Sequence, residues 1–211
     1  MTPRSPSGRG DTRMSAWSRP LIWSAAFLAC WITSATIGPA QALGYQALVD
    51  LGAVRQVCPS WLLAFAVSLG SLPVTVSVFA ACALSSLVRL RSRKTLRPLV
   101  VSALTLLLAA TLPLLGLHIY HGWFPHYATF PSGHMAGFLL SSLSLRLLSD
   151  ATPWRRAIWG LTVLGGSLVG VAILSTTAHT FWDVLGSACL ALVVLPLLEG
   201  HKEKDGTKAQ P

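Results

Sequence analysis

The sequence predicts an all-α fold of the polytopic membrane class, a six-transmembrane-helix bundle. Of its 211 residues, 53% are apolar and 11% charged, and the mean hydropathy of +0.60 exceeds that of soluble domains. Six apolar runs approach the roughly 20 residues that cross a bilayer. The net charge of +9 comes from short basic clusters between these runs. It therefore indicates membrane orientation and not a nucleic-acid partner.

The apolar runs define the predicted helices in order, at residues 21–38, 62–88, 99–119, 134–149, 157–175 and 180–198. The fourth run is short, which suits a helix that begins at the outer interface beside a buried loop. We expect one membrane domain over residues 21–198. A basic cytoplasmic tail, residues 1–20, is rich in Gly, Ser and Pro and is predicted to be disordered, and a polar cytoplasmic tail covers 199–211.

The basic residues predict the orientation of the bundle. Fifteen of the 16 fall in the N-terminal tail, the second-to-third and fourth-to-fifth connections, or the C-terminal tail, and only Arg55 falls on the other side. The positive-inside rule then places both termini in the cytoplasm, as in a bacterial inner (plasma) membrane protein. The outward loops are predicted at 39–61, 120–133 and 175–179, with Arg155 and Arg156 at the inner turn before the fifth helix.

The first apolar run has an alternative interpretation. It is followed by Ala40-Gln41-Ala42, which satisfies the small-residue rule for signal peptidase. The run is then a cleaved signal instead of an anchor, and the topology of the remaining helices is unchanged.

A short motif, Pro131-Ser132-Gly133-His134, precedes the fourth run. Pro131 and Ser132 fit the cap of a helix, and Gly133 permits close backbone approach. The unpaired N–H groups of a first helical turn form an anion site, so a phosphate can bind there beside His134. The alternative is an ordinary capped helix whose histidine faces the lipid headgroups.

A second motif, His179-Thr180-Phe181-Trp182-Asp183, begins the sixth run. Residues four apart share a helix face, so the Asp183 carboxylate can hold one imidazole nitrogen of His179 and leave the other facing outward. Such a histidine can act as a nucleophile or as a base. An acidic residue inside a transmembrane run is costly and marks a functional site by default.

The two histidines are expected to meet. The chain descends through the fourth run and climbs through the fifth, which returns it to the outer face near residue 175. His134 and His179 therefore lie on the same side of the membrane. Two imidazoles, a carboxylate and a helix N-terminus are what phosphoryl transfer through a phosphohistidine requires, in which one imidazole attacks phosphorus and the other protonates the departing oxygen.

The two motifs resemble the second and third signature motifs of the type 2 phosphatidic acid phosphatase superfamily, and the resemblance covers residues 99–198. It implies a membrane enzyme that removes phosphate from a lipid phosphate or isoprenyl diphosphate at the periplasmic or exterior face. It also implies His179 as nucleophile, Asp183 as its orienting partner, His134 as general acid and Pro131–Gly133 as the phosphate-binding loop. No metal or other cofactor is implied.

Three basic residues of the family pattern are absent. The first motif, a Lys six residues before Arg-Pro, is missing from residues 117–123, and the Ser-Arg that opens the third motif is replaced by Ala172 and Ile173. A phosphate monoester dianion needs cationic partners, whereas a diester carries one charge fewer. The third motif also resembles that of the sphingomyelin synthase branch. A lipid head-group phosphotransferase or diesterase is therefore an alternative.

Three further histidines lie in or beside the outer loop that precedes the fourth run: His118, His121 and His126. When protonated they can bind phosphate in place of the missing cations. The alternative is an interfacial belt shared with the aromatic residues of that loop. No carboxylate or thiol lies nearby, so a metal site is not expected.

Two other classes of protein fit the same pattern. One is a non-catalytic relative that binds lipid, and the other is a membrane haem protein with two histidine ligands. The Pro-Ser-Gly before His134 and the carboxylate beside His179 favour phosphate over haem. The sequence does not indicate an oligomeric state.

Overall fold

The computed structural model describes residues 18–36, 43, 46, 49–88, 100, 103, 104, 107, 111, 130–149, 152–176 and 179–199. Over these residues the regular structure is entirely helical, which confirms the all-α prediction for this part of the chain. The helices are α1 Ser18–Thr36, α2 Val54–Val57, α3 Ser60–Leu69, α4 Leu72–Val88, α5 Gly133–Leu148, α6 Thr152–Thr176 and α7 Phe181–Glu199.

Four helices match predicted runs, and one of them begins earlier than expected. α1, α5 and α7 end or begin within three residues of the predicted bounds, whereas α6 starts at Thr152 instead of 157. Arg155 and Arg156, which we expected in the turn, therefore lie inside the helix. Pro153 explains the early start, because proline suits a first helical turn, where its missing N–H has no partner to lose.

The second predicted run is broken into two helices, which pass together as one bent span. It forms α3 and α4, which meet at 47° across Gly70 and Ser71. A side chain on Gly70 would collide with the backbone carbonyl of His134 and come within 2.6 Å of its carbonyl carbon. The break therefore lets α5 begin directly against the backbone of this turn. The short helix α2 likewise lies where we expected an outer loop.

The evidence for membrane spans is uneven along the described chain. α6 alone is long and apolar enough to cross a bilayer, α3 and α4 pass the same test as one bent pair, and α7 has a shorter apolar stretch at Phe181–Pro196. The predicted third run lies almost wholly outside the described residues, and the few described there are helical. Six crossings therefore remain a prediction.

The helix α5 forms the centre of the bundle, with α4, α6 and α7 packed around it and α1 packed against α7. Its contact with α7 is a buried apolar seam made of Ala136, Leu140, Leu143, Leu190, Ala191 and Val194. Its contact with α6 depends on glycine, since a side chain on Gly165 would lie 2.6 Å from the Phe138 ring. Small residues permit the close backbone approach on which helix association in lipid relies.

We expect Gly70→Ala to destabilise the bundle, because the new methyl group meets the rigid backbone of His134. Overpacking of this kind costs about 1–3 kcal/mol. Thermal unfolding in detergent should show a lower Tm than the wild type. The matched control is Gly160→Ala on α6, where a side chain would meet nothing within 4 Å; it should leave Tm unchanged or raise it, because alanine is the better helix former. Equal effects of the two substitutions would contradict the close contact.

Candidate active site

The first site motif caps α5. The hydroxyl of Ser132 accepts a hydrogen bond from the Met135 amide at 3.4 Å, and its carbonyl accepts one from the Ala136 amide at 2.9 Å. The amides of Gly133 and His134 make no hydrogen bond with any described residue. A side chain on Gly133 would meet nothing within 4 Å, so the space beside its Cα is open. Two free donors therefore lie at the N-terminus of α5, an arrangement that can bind an anion.

The second site motif caps α7. The Asp183 carboxylate accepts a hydrogen bond of 2.6 Å from the Thr180 amide through Oδ2, and the Thr180 carbonyl accepts one from the Asp183 amide at 3.1 Å. The same Oδ2 lies 3.7 Å from Nδ1 of His179. We expected His179 and Asp183 on one helix face, but His179 precedes the first helical residue. The pair therefore forms at a helix cap, where the carboxylate reaches back toward the preceding chain.

The two motifs are joined by buried hydrogen bonds. The Ser132 amide donates to the Asp183 carbonyl at 3.2 Å. The Ser187 hydroxyl lies 3.0 Å from the Ser132 carbonyl oxygen and 2.8 Å from that of Asp183, in donor geometry to both. Ser132, Asp183 and Ser187 are almost completely buried. The first turns of α5 and α7 are thus held side by side.

This junction brings the two predicted catalytic histidines together. His134 and His179 lie close enough for their imidazoles to interact electrostatically. The side chain of His179 is 14% exposed and that of Asp183 only 1%. The site thus contains two accessible imidazoles, one of them backed by a buried carboxylate, beside the free amides of α5.

Sequence reasoning missed the role of Ser187. It lies four residues after Asp183 in an otherwise apolar part of α7, so a lone serine one turn deeper was the available signal. A serine in a helix commonly bonds to its own helix, and the bond to the distant Ser132 carbonyl depends on how α5 and α7 pack.

Phe130 anchors the Pro131–Gly133 loop by packing its ring between α1 and α7. It is buried, its ring centroid lies 5.4 Å from that of Phe27 on α1, and a side chain on Gly186 would lie 2.5 Å from its ring. The ring therefore occupies a space between α1 and α7 that only glycine leaves free. Phe130, like Gly186, was not among the predicted site residues.

The residues that stand where the third family motif has Ser-Arg, Ala172 and Ile173, lie in the apolar core. Ile173 is fully buried in a cluster with Met135 and Val169, and Ala172 is fully buried against Leu63 and Ala66. No cation reaches the site from either position. Arg55 is exposed on α2, whose neighbour Val54 packs on the cluster that contains Ala172.

The predicted phosphate-binding histidines His118, His121 and His126 lie outside the described residues. Among the residues that are described, His, Cys, Asp and Glu form no group of three or more that would hold a metal ion.

No protein-family model matches the sequence, and no curated protein matches it either. The fold is similar to that in the crystal structure of a transmembrane PAP2-type phosphatidylglycerolphosphate phosphatase from Bacillus subtilis. The TM-score is 0.69, and the alignment covers 88% of this chain and 96% of that one at 19% identity. At this identity the likeness establishes a shared fold.

We expect Ser187→Ala to lower stability, because the side-chain hydrogen bond from α7 to the Ser132 carbonyl is lost. A hydrogen bond of this kind contributes about 0.5–1.5 kcal/mol. The matched control is Ser144→Ala, which is also buried but bonds only to the Leu140 carbonyl of its own helix, at 2.8 Å. A fall in Tm for Ser144→Ala as large as that for Ser187→Ala would show that the junction carries no special stability.

Proposed function

We propose that this protein is an integral membrane phosphoesterase that removes phosphate from a lipid phosphate or isoprenyl diphosphate through a phosphohistidine intermediate. One observation carries the proposal: His134 and the His179–Asp183 pair lie side by side at two joined helix N-termini. The shared fold with a PAP2-type phosphatase supports the same assignment.

His179 is the nucleophile in this proposal. Its Nδ1 faces the buried Asp183 carboxylate at 3.7 Å, so Nε2 is the nitrogen left to attack. This distance exceeds a hydrogen bond, and catalytic contacts commonly shorten when substrate binds. Attack forms a P–N bond to Nε2 and breaks the P–O bond to the lipid. The carboxylate stabilises the positive charge that develops on the imidazole.

His134 is the general acid. It transfers its proton to the departing lipid oxygen, and then accepts a proton from the water that attacks the phosphohistidine. That second step breaks the P–N bond and releases inorganic phosphate. General acid–base catalysis of this kind contributes typically about 10²–10⁴-fold.

The N-terminus of α5 binds the phosphate oxygens. The free amides of Gly133 and His134 supply two donors, and the positive end of the helix dipole favours an anion. Ser132 holds these amides in place through its cap and its buried carbonyl, and Pro131 precedes it in the same buried loop.

The membrane placement belongs to the same proposal. Six helices cross the bilayer, both termini are cytoplasmic, and the site faces the periplasm or exterior. Support comes from the basic clusters at the opposite end of the bundle and from the exposed leucines of α6, Leu161 and Leu164. Apolar side chains on an outer face suit contact with lipid.

A second candidate function is a lipid head-group phosphotransferase or diesterase. One observation favours it: the position of the expected arginine holds the fully buried Ile173. A site with fewer cations stabilises a diester monoanion better than a monoester dianion. His118, His121 and His126 supply the missing charge if the phosphatase proposal is correct.

The phosphoenzyme is the direct test of mechanism. With phosphatidate labelled in its phosphate, the wild type should yield an acid-labile phosphohistidine, and His179→Ala should yield none. His134→Ala should still form the intermediate, but about 10²–10⁴-fold more slowly. Its defect should shrink with p-nitrophenyl phosphate, whose leaving oxygen needs no proton.

Asp183→Asn should slow labelling strongly, because the carboxamide cannot stabilise the imidazolium. The matched control is Asp50→Asn, an exposed aspartate bonded to Gln46 at 2.9 Å, which should label as the wild type does. Equal labelling of the wild type and His179→Ala would remove the nucleophile assignment. Full biological function without His179 would favour a lipid-binding role.

The need for an acceptor lipid separates the two candidate functions. We expect phosphatidate to be hydrolysed without any added lipid, with release of inorganic phosphate. The phosphotransferase instead requires a phospholipid together with ceramide or diacylglycerol, and its product keeps the phosphate on lipid. Mass spectrometry of the lipid products distinguishes these results, and turnover only with the acceptor lipid present would replace the first function by the second.

A further inference from the structure

A groove of about 490 Å³ runs along the bundle between α5, α6 and α7. This volume lies within the range of about 300–1,000 Å³ typical of small-molecule sites. The end nearest the candidate active site is bounded by Met135, Phe181 and Val184, each within two residues of a proposed catalytic group. This end of the groove therefore lies next to the site.

The groove offers hydrocarbon surface and no free hydroxyl. Its hydroxyl-bearing residues are Thr162 and Ser167. Thr162 donates to the Ile158 carbonyl at 2.7 Å and Ser167 to the Val163 carbonyl at 2.9 Å, both within α6. A polar ligand would lose its hydrogen bonds to water without replacement, whereas an apolar chain loses none.

Small residues create the groove where α6 lies closest to its neighbours. Side chains on Gly166 and Gly170 would lie 3.4 Å from Leu139 and Val184, respectively. The floor is therefore tightly packed, and Ala188 on α7 leaves space above it. The groove is therefore bounded by closely packed helices and is not a packing defect.

The groove is long enough for an extended chain. Its lining on α6 runs from Leu174 to Trp159, which is about 22 Å at 1.5 Å per residue. One leaflet of the hydrocarbon core is about 15 Å thick. The far end is formed by Trp159, whose ring centroid lies 5.3 Å from the Arg146 guanidinium carbon. A chain that fills the groove reaches past the middle of the bilayer.

We infer that the groove binds one hydrocarbon chain of the lipid whose phosphate lies between His134 and His179, an inference that rests on the proposed function. Trp159 and Phe181 are 40% and 43% exposed, so the groove opens at the side of the bundle. The chain enters from the bilayer while the head group reaches the histidines. The site therefore selects lipid phosphates with a long chain.

Filling the groove tests this selection. Ala188→Phe and Ser167→Phe place a ring in it from opposite walls, and the matched control is Ala157→Phe, exposed on α6 outside the groove. For long-chain phosphatidate we expect both groove variants to lower kcat/KM at least about tenfold, because several methylenes lose their contacts. For short-chain phosphatidate we expect a change within about twofold, and the control should match the wild type on both.

Unchanged kcat/KM in both groove variants would overturn the inference, and so would equal losses on the two substrates. A wild type that hydrolyses neither phosphatidate nor an isoprenyl diphosphate would instead contradict the proposed function. In that case a binding measurement, which needs no turnover, still tests whether the groove binds a lipid chain.

The binding measurement uses phosphatidate with a photoreactive group at the chain end, added to full-length His179→Ala in phosphatidylcholine bilayers. With the groove otherwise unaltered, we expect label on its lining residues Trp159, Val163 and Ser167, displaced by unlabelled phosphatidate but not by added phosphatidylcholine. Ala188→Phe should abolish it. Displacement by both lipids, or label confined to the outward Leu161 and Leu164, would mean that bulk lipid occupies the groove and would overturn the inference.

Discussion

The buried junction between the first turns of α5 and α7 is the constraint on which the rest of the site depends. Ser132 and Asp183 are joined through a backbone hydrogen bond and through the shared Ser187 hydroxyl, all in an almost fully buried setting. Because water is excluded, separating the helices would cost the hydrogen bonds across the junction without replacement by water. The relative position of His134 and His179 follows from this junction.

Around the junction, glycines set the distances between the helices. Gly70 lets the α3–α4 turn touch the start of α5, and Gly186 leaves the space that the Phe130 ring fills. In lipid, apolar burial does not drive helices together, and close van der Waals contact takes its place. The precision of the site therefore depends on residues that carry no functional group, and the same small-residue packing shapes the groove beside it.

One carboxylate oxygen of Asp183, Oδ2, faces both the Thr180 amide and the His179 imidazole. Its Oδ2 accepts the Thr180 amide at 2.6 Å, which fixes the cap of α7, and lies 3.7 Å from His179. The cap holds the carboxylate in position, so in the proposed mechanism little reorganisation is needed when positive charge develops on the imidazole. The structural role of this residue and the chemical role proposed for it depend on the same carboxylate.

Apolar length and cap residues act locally along the chain, so they were enough to predict the all-α class, the bounds of α1, α5 and α7, and the two histidine motifs. They could not predict the break at Gly70, the second bond of Ser187 or the burial of Ile173, which stands where the resembled family motif has an arginine. Each of these depends on which distant residue lies opposite. Gly70, for example, faces the backbone of His134, a contact that no periodicity within its own helix can reveal.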